Sequence, residues 1–407
     1  MLLGEDGIIR TAQEAKNTWE GAVANEQESI QNLANELNSI MNGGGDDTPT
    51  DPEEIVDITT VTEIVQKEEG QKAEDTYGNV VVVPKGFKVV TSEATTVPEG
   101  IVIEDVNENQ FVWIPVGTVY KDSTGTNTST IKLGRYTFST SDGTPTMRQA
   151  AFAGDNPSSP DQTYASDPPV TIESYYQELT TYREGTATEG LDGLNATAKN
   201  LKAFVDSVQK NGGYYIARYE ASYGSGYNSA GANDTEKYAN AKPLSKVSTA
   251  NSTSSMKYDT TGKLWNNITQ LNASKVSQNM YANDSTVGVE SDLINSYAWD
   301  TAIVFIQSMD EANSNYANAD KNTTGNSSLM NTGETGDEVC NIYDMAANVR
   351  EWTTEYSTSA STSNAAPCTY RGGFYIYYSD DYTAIRRDLS ATNSGGSIGF
   401  RVSLYIK

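Results

Sequence analysis

Asn341-Ile-Tyr-Asp-Met-Ala-Ala-Asn-Val-Arg-Glu-Trp-Thr353 decides how the rest of this sequence is read, together with Arg371-Gly-Gly-Phe374 and Gly399-Phe-Arg401 downstream. Two acids, Asp344 and Glu351, stand among small apolar residues ahead of Trp352. The glycine pair Gly372-Gly373 allows a turn, or a backbone approach that a Cβ would block. Trp113, Trp299 and Trp352 are large apolar anchors for a domain short of long helices. Short strands are predicted near 348–352, 369–375 and 399–405.

Working outward, Val80-Val-Val-Val-Pro84, Gly100-Ile-Val-Ile-Glu104, Gln110-Phe-Val-Trp-Ile114 and Gly213-Tyr-Tyr-Ile-Ala-Arg-Tyr219 read as further strands. Helices are predicted over 189–209 and 292–312, and the Ser/Thr/Asn-rich stretch 221–290 reads as mostly loop. Toward the start of the chain, apolar residues recur at helical spacing from Ile8 to Met41, and Gly43-Gly-Gly-Asp-Asp-Thr-Pro-Thr-Asp-Pro52 ends that pattern. The predicted organisation is therefore an N-terminal helix over 1–42, a linker or tether over 43–76, and an α+β domain over 77–407.

Composition removes several functions. The chain has no histidine, which excludes His-dependent triads and most zinc and non-haem iron sites. A formal charge of −26 argues against nucleic acid and anionic membrane surfaces as partners. The sequence as given holds no membrane-spanning apolar run. Cys340 and Cys368 fit either one disulfide or two buried thiols.

Four ordered segments, Phe111-Val-Trp-Ile-Pro-Val-Gly117, Tyr215-Ile-Ala-Arg-Tyr-Glu-Ala221, Asn341–Thr353 and Arg371-Gly-Gly-Phe374 with Gly399-Phe-Arg401, resemble the formylglycine-generating enzyme (sulfatase-modifying factor) family. The resemblance spans roughly residues 77–407 and implies a variant of the C-type lectin fold, an α+β domain of small antiparallel sheets and irregular loops. The chemistry of the family does not accompany it. Tyr377 and Tyr382 stand where the oxygenase has its two copper-binding cysteines, and phenol does not replace thiolate for copper(I). The sulfoxide-forming branch needs histidines. The reading is thus of a protein that is not an enzyme and requires no cofactor. The family also implies a structural Ca²⁺ site, carried over to the side chains of Asp344 and Glu351 and the carbonyls of Ala347 and Val349. Its alternative is an acidic loop without metal. Ala347 and Arg350 depart from the glycine and tryptophan usual at those positions.

The stretch Phe374–Ser397 is rich in Tyr, Ser, Asp, Asn and Gly, the composition of a binding paratope. Lying between Arg-Gly-Gly and Gly-Phe-Arg, it resembles the variable segment of proteins diversified by retroelements. Expected ligand-binding residues are Phe374, Ile376, Tyr377, Tyr378, Asp380, Asp381 and Tyr382 in the first half. Arg386, Asp388, Leu389, Asn393, Gly395, Gly396 and Ser397 form the second half, with Arg371, Phe400 and Arg401 bracing it. The alternative is a buried Tyr-rich strand. Finally, Leu2-Leu-Gly-Glu-Asp-Gly-Ile-Ile, Thr11-Ala-Gln-Glu-Ala-Lys16 and Ala24-Asn-Glu-Gln-Glu-Ser resemble type IV pilin-like proteins of Gram-positive bacteria, in which an apolar membrane helix precedes this point. Together these resemblances imply an extracellular protein of the bacterial cell surface or pilus. Its partner would be an unknown protein or glycan ligand, with pilus subunits as further partners and membrane contact only through the missing apolar helix. A structural pilin-like subunit and a divergent metal-dependent enzyme are the rival readings.

Overall fold

Phe87–Val89 (β1), Val102–Asp105 (β2) and Gln110–Pro115 (β3) form an antiparallel meander. Its third strand is an unbroken apolar run because both of its faces are covered. The computed structural model describes residues 54–152, 155, 163–164, 170–171, 176–177, 201–251, 261–319, 328–357, 368–376, 382–390 and 392–407. The helix expected over 1–42, with its pilin-like resemblance, lies outside the described residues, as does the predicted Gly/Pro-rich stop at 43–52.

The meander continues into Gly213–Ala217 (β4), Val289–Leu293 (β5) and Val402–Ile406 (β10), giving a six-stranded antiparallel sheet of order β5-β10-β4-β3-β2-β1. A second, mixed sheet is built on Arg350–Ser357 (β6). Cys368–Arg371 (β7) pairs antiparallel with it, Arg386–Leu389 (β8) pairs with β7, and Ile398–Phe400 (β9) runs parallel to the start of β6. Only Arg401 separates β9 from β10, so the chain steps from one sheet to the other at that residue.

Among the described residues, three helices of ten or more residues pack around the sheets. Leu201–Asn211 (α1) buries Leu201, Phe204 and Val208, the i, i+3, i+7 stripe of an amphipathic helix, and sets Phe204 edge-on to Tyr214 at 5.2 Å. Gln270–Asn279 (α2) is capped by Thr269, whose hydroxyl accepts from the Asn272 N–H. Ser296–Met309 (α3) is capped by Asn295 and buried without a break from Ser296 to Ile306, which suits its apolar sequence. No helix among the described residues is long and apolar enough to cross a membrane.

The structure corrects three expectations. Residues 55–76 of the tether predicted over 43–76 are part of the compact unit Ile55–Lys407, with Ile58, Val61, Val65 and Ala73 in its core. Among its described residues the stretch 221–290 is not mere loop: it supplies α2, the start of β5 and the paired strands Ser222–Ser225 and Lys242–Leu244. Helix α2 buries Gln270, Asn272, Ser274 and Ser277, so it carries no apolar periodicity to read. The disulfide is absent, and Cys340 and Cys368 are not joined. Cys340 occupies a left-handed turn (φ 49°), where burial, then Asp310, pushes its thiol up to about 12. Cys368 opens β7 opposite Leu389.

Candidate functional site

The segment 374–397 is rooted on the loop that precedes β6. Gly373 N–H donates to Met345 O at 3.1 Å, and Tyr375 N–H to Asn348 O at 2.9 Å. A Cβ on Gly373 would stand 2.1 Å from the Ala346 carbonyl carbon and oxygen, so this pairing of two backbones admits glycine alone. Gly372 adds a left-handed φ of 86°.

The middle of the segment is interior. Thr383, Ala384, Ile385 and Arg386 are buried. Thr383 and Ala384 donate their N–H groups to Ala319 O and Ala317 O, and the Trp299 indole donates to Thr383 O at 3.1 Å. Below them lies a closed ionic network. Asp300, in the apolar helix α3, accepts from Arg371 Nη2 at 2.5 Å, Arg386 Nη2 at 2.7 Å and Tyr136 N at 2.9 Å. Glu355 accepts from Arg386 Nε at 2.7 Å and pairs with Arg135. Burial would raise the Asp300 carboxyl, but the Arg371 and Arg386 guanidiniums outweigh it and hold the group below the usual carboxylate range.

The far root is a tight turn. Asn266 Nδ2 donates to Gly396 O at 2.7 Å, Asn267 N to Gly395 O at 3.3 Å, and Arg350 N to Ser397 O at 3.1 Å.

These contacts sort the expected ligand-binding residues. Phe374 and Arg386 are not surface residues: the first is 5% exposed with Arg350 lying on its ring, and the second is locked between two carboxylates. Ile376, Tyr382, Asp388, Leu389, Asn393, Gly395, Gly396 and Ser397 are half-buried, and Tyr382 and Leu389 also pack on the core. Tyr377, Tyr378, Asp380 and Asp381 lie outside the described residues. Arg371 and Phe400 are fully buried, as is Arg401. The network partners Arg135, Asp300 and Glu355 escaped the sequence reading. Asp300 carried a signal, because an acid inside Ala-Trp-Asp-Thr-Ala-Ile-Val needs a buried partner.

Arg401, at the step between the sheets, donates to Ala217 O and Tyr343 O and forks onto both oxygens of Glu351 at 3.1 and 2.7 Å. Asp344, the other acid of the suggested calcium set, accepts from Gly333 N at 2.8 Å and Thr335 Oγ1 at 2.5 Å. Burial pushes the Asp344 carboxyl up to about 6 despite those bonds. Ala347 and Val349 are buried beside it, and the Val349 N–H donates to Glu220 at 3.0 Å. The donor set is chemically suited to calcium, but both carboxylates are already engaged within the chain. Among the described residues no group of three or more His, Cys, Asp or Glu side chains gathers to hold a metal. As arranged, these residues do not fit the ion.

The fold and site define an α+β domain that presents a segment anchored at three points on its own interior. The chain belongs to the sulfatase-modifying factor enzyme 1-like domain family, whose model matches residues 190–405. Three solved structures are similar to it. The crystal structure of CarF is 13% identical, covering 57% of this chain and 98% of that one, with a TM-score of 0.32. Treponema denticola variable protein 1 is 12% identical, covering 56% and 93%, with a TM-score of 0.26. The Major Tropism Determinant P3c variant is 12% identical, covering 86% and 98%, with a TM-score of 0.27. No curated protein matches the sequence.

Proposed function

We propose that this chain is a non-catalytic ligand-binding protein and that 374–397 is its diversifiable recognition surface, of the retroelement-diversified kind. One observation carries the reading. Buried anchors at Phe374, Thr383–Arg386 and Ile398 leave two arcs of half-buried or exposed positions, 375–376 with Tyr382, and 387–390 with 392–397. Side chains on such arcs, Tyr382 and Leu389 excepted because they pack on the core, can change without disturbing it, as recognition requires and packing forbids. The chemistry of the sequence agrees, since tyrosines stand at the copper-cysteine positions and histidine is absent. No cofactor is needed for this role.

The partner is a protein or a glycan, and a charge of −26 favours one with a basic surface. The pilin-like residues 2–29 support display at a bacterial surface or pilus. A glycan array and a panel of surface proteins, probed with the whole chain and with a Tyr377→Ala, Tyr378→Ala, Asp388→Ala, Asn393→Ala variant, test the reading. The variant should lose at least about tenfold in affinity for any hit, for a melting temperature within about 2 °C of the parent. A much larger fall in melting temperature would mean these side chains are core. Copper or iron at one equivalent in the purified protein would return the reading to an enzyme.

A further inference from the structure

Arg350 stands where both roots of the segment meet. Its guanidinium carbon lies 4.0 Å from the centre of the Phe374 ring and 5.1 Å from that of Tyr370, and Phe374 in turn meets the Tyr375 ring edge-on at 4.7 Å. Its backbone N–H donates to Ser397 O, and in the parallel pairing of β6 with β9 it is the register partner of Ile398. Phe374 is buried while Arg350 is half-buried, so the cation lies over a ring that water does not reach, where such a contact is strongest. The neighbouring anchors point the same way: Asn348, two residues earlier, holds the Tyr375 N–H through its carbonyl.

We propose that Arg350 is a positioning residue for the recognition surface: side chain on the first root, backbone on the last, it fixes the distance between the two ends of the segment. This rests on reading 374–397 as a recognition segment, but its test needs no ligand and so fails or succeeds separately. Amide hydrogen exchange of the whole chain is followed for Arg350→Met, Arg350→Lys and Phe374→Leu. Arg350→Met keeps the volume and removes the charge. It should speed exchange at Gly373 and Tyr375, whose N–H groups make the bonds of the first root, by about five- to thirtyfold, the range of a desolvated cation–π contact, while β3 and β4 amides stay protected. Arg350→Lys should restore most of the protection. Phe374→Leu should reproduce the Met phenotype, and the double variant should add nothing further. Wild-type protection in Arg350→Met would overturn the proposal, because packing would then suffice. So would an equal rise in exchange across both sheets, or a failure of Lys to rescue.

Discussion

Replacing Asp300 with asparagine keeps the shape of the side chain and deletes the shared acceptor of the ionic network. In the parent, three guanidiniums (Arg135, Arg371, Arg386) face two carboxylates (Asp300, Glu355), all at most 1% exposed. The variant leaves three cations against one anion in the interior, and the amide nitrogen would face a donor on Arg371 or Arg386. Breaking a buried pair from one side costs about 3–5 kcal/mol. Arg386→Met gives up two charge-assisted bonds of roughly 1.5–3 kcal/mol each, a comparable gross loss, but it leaves the charges balanced two against two and no cation in excess, so D300N is the costlier of the two. Denaturant unfolding followed by tryptophan fluorescence should therefore rank wild type above R386M and R386M above D300N, with Ser397→Ala close to the parent. A D300N unfolding free energy within about 1 kcal/mol of the parent would refute the view that this network holds the segment's centre to α3.

Other outcomes follow from the same geometry. Because the folded Asp300 carboxyl is held below its unfolded value, its contribution is complete above about pH 4 and is lost as pH falls through the depressed folded value. A pH series of melts should show that acid limb in the parent and lose it in D300N. Gly373→Ala should destabilise by several kcal/mol, on the order of a severe core lesion, since its Cβ would overlap the Ala346 carbonyl and the neighbour is backbone that cannot rotate away. Its melting temperature, compared with that of Gly395→Ala, checks this. Addition of EGTA or of millimolar calcium should leave the melt unchanged within about 1 °C, because Arg401 and Thr335 already engage the two acids; a rise of several degrees with calcium would show that the loop opens to take the ion.

Much of the fold was legible because its strands are either unbroken apolar runs or carry the Arg-Gly-Gly and Gly-Phe-Arg signatures. Val80–Val83, Gln110–Pro115 and Gly213–Ala217 lie where the pattern put them. Helix α2 was illegible for a physical reason: Gln270 reaches the carbonyl of Thr353 and, at 2.9 Å, that of Glu355, so a polar side chain fills a core position. The long helix expected at 292–312 begins instead at Ser296, and Asp292 belongs to β5, which ends at Leu293. Within the site, composition identified the segment but not its inward turns. Arg386 and Phe374 look like surface residues until Asp300, Glu355 and Arg350, distant in sequence, are brought against them. The charge of an arginine gives no sign of which way it faces.

The placement of β10 sets an order of events. This strand, residues 402–406, lies between β5 and β4 rather than at an edge, so the larger sheet is split until it is in place. Its pairings, Tyr215 with Leu404 and Val289 with Ile406, join residues far apart in sequence, and contacts of such long range form slowly. A product truncated before Arg401 would expose two unpaired strand edges together with the orphaned Glu351. A copy in which this central strand is not seated is thus left open to proteolysis.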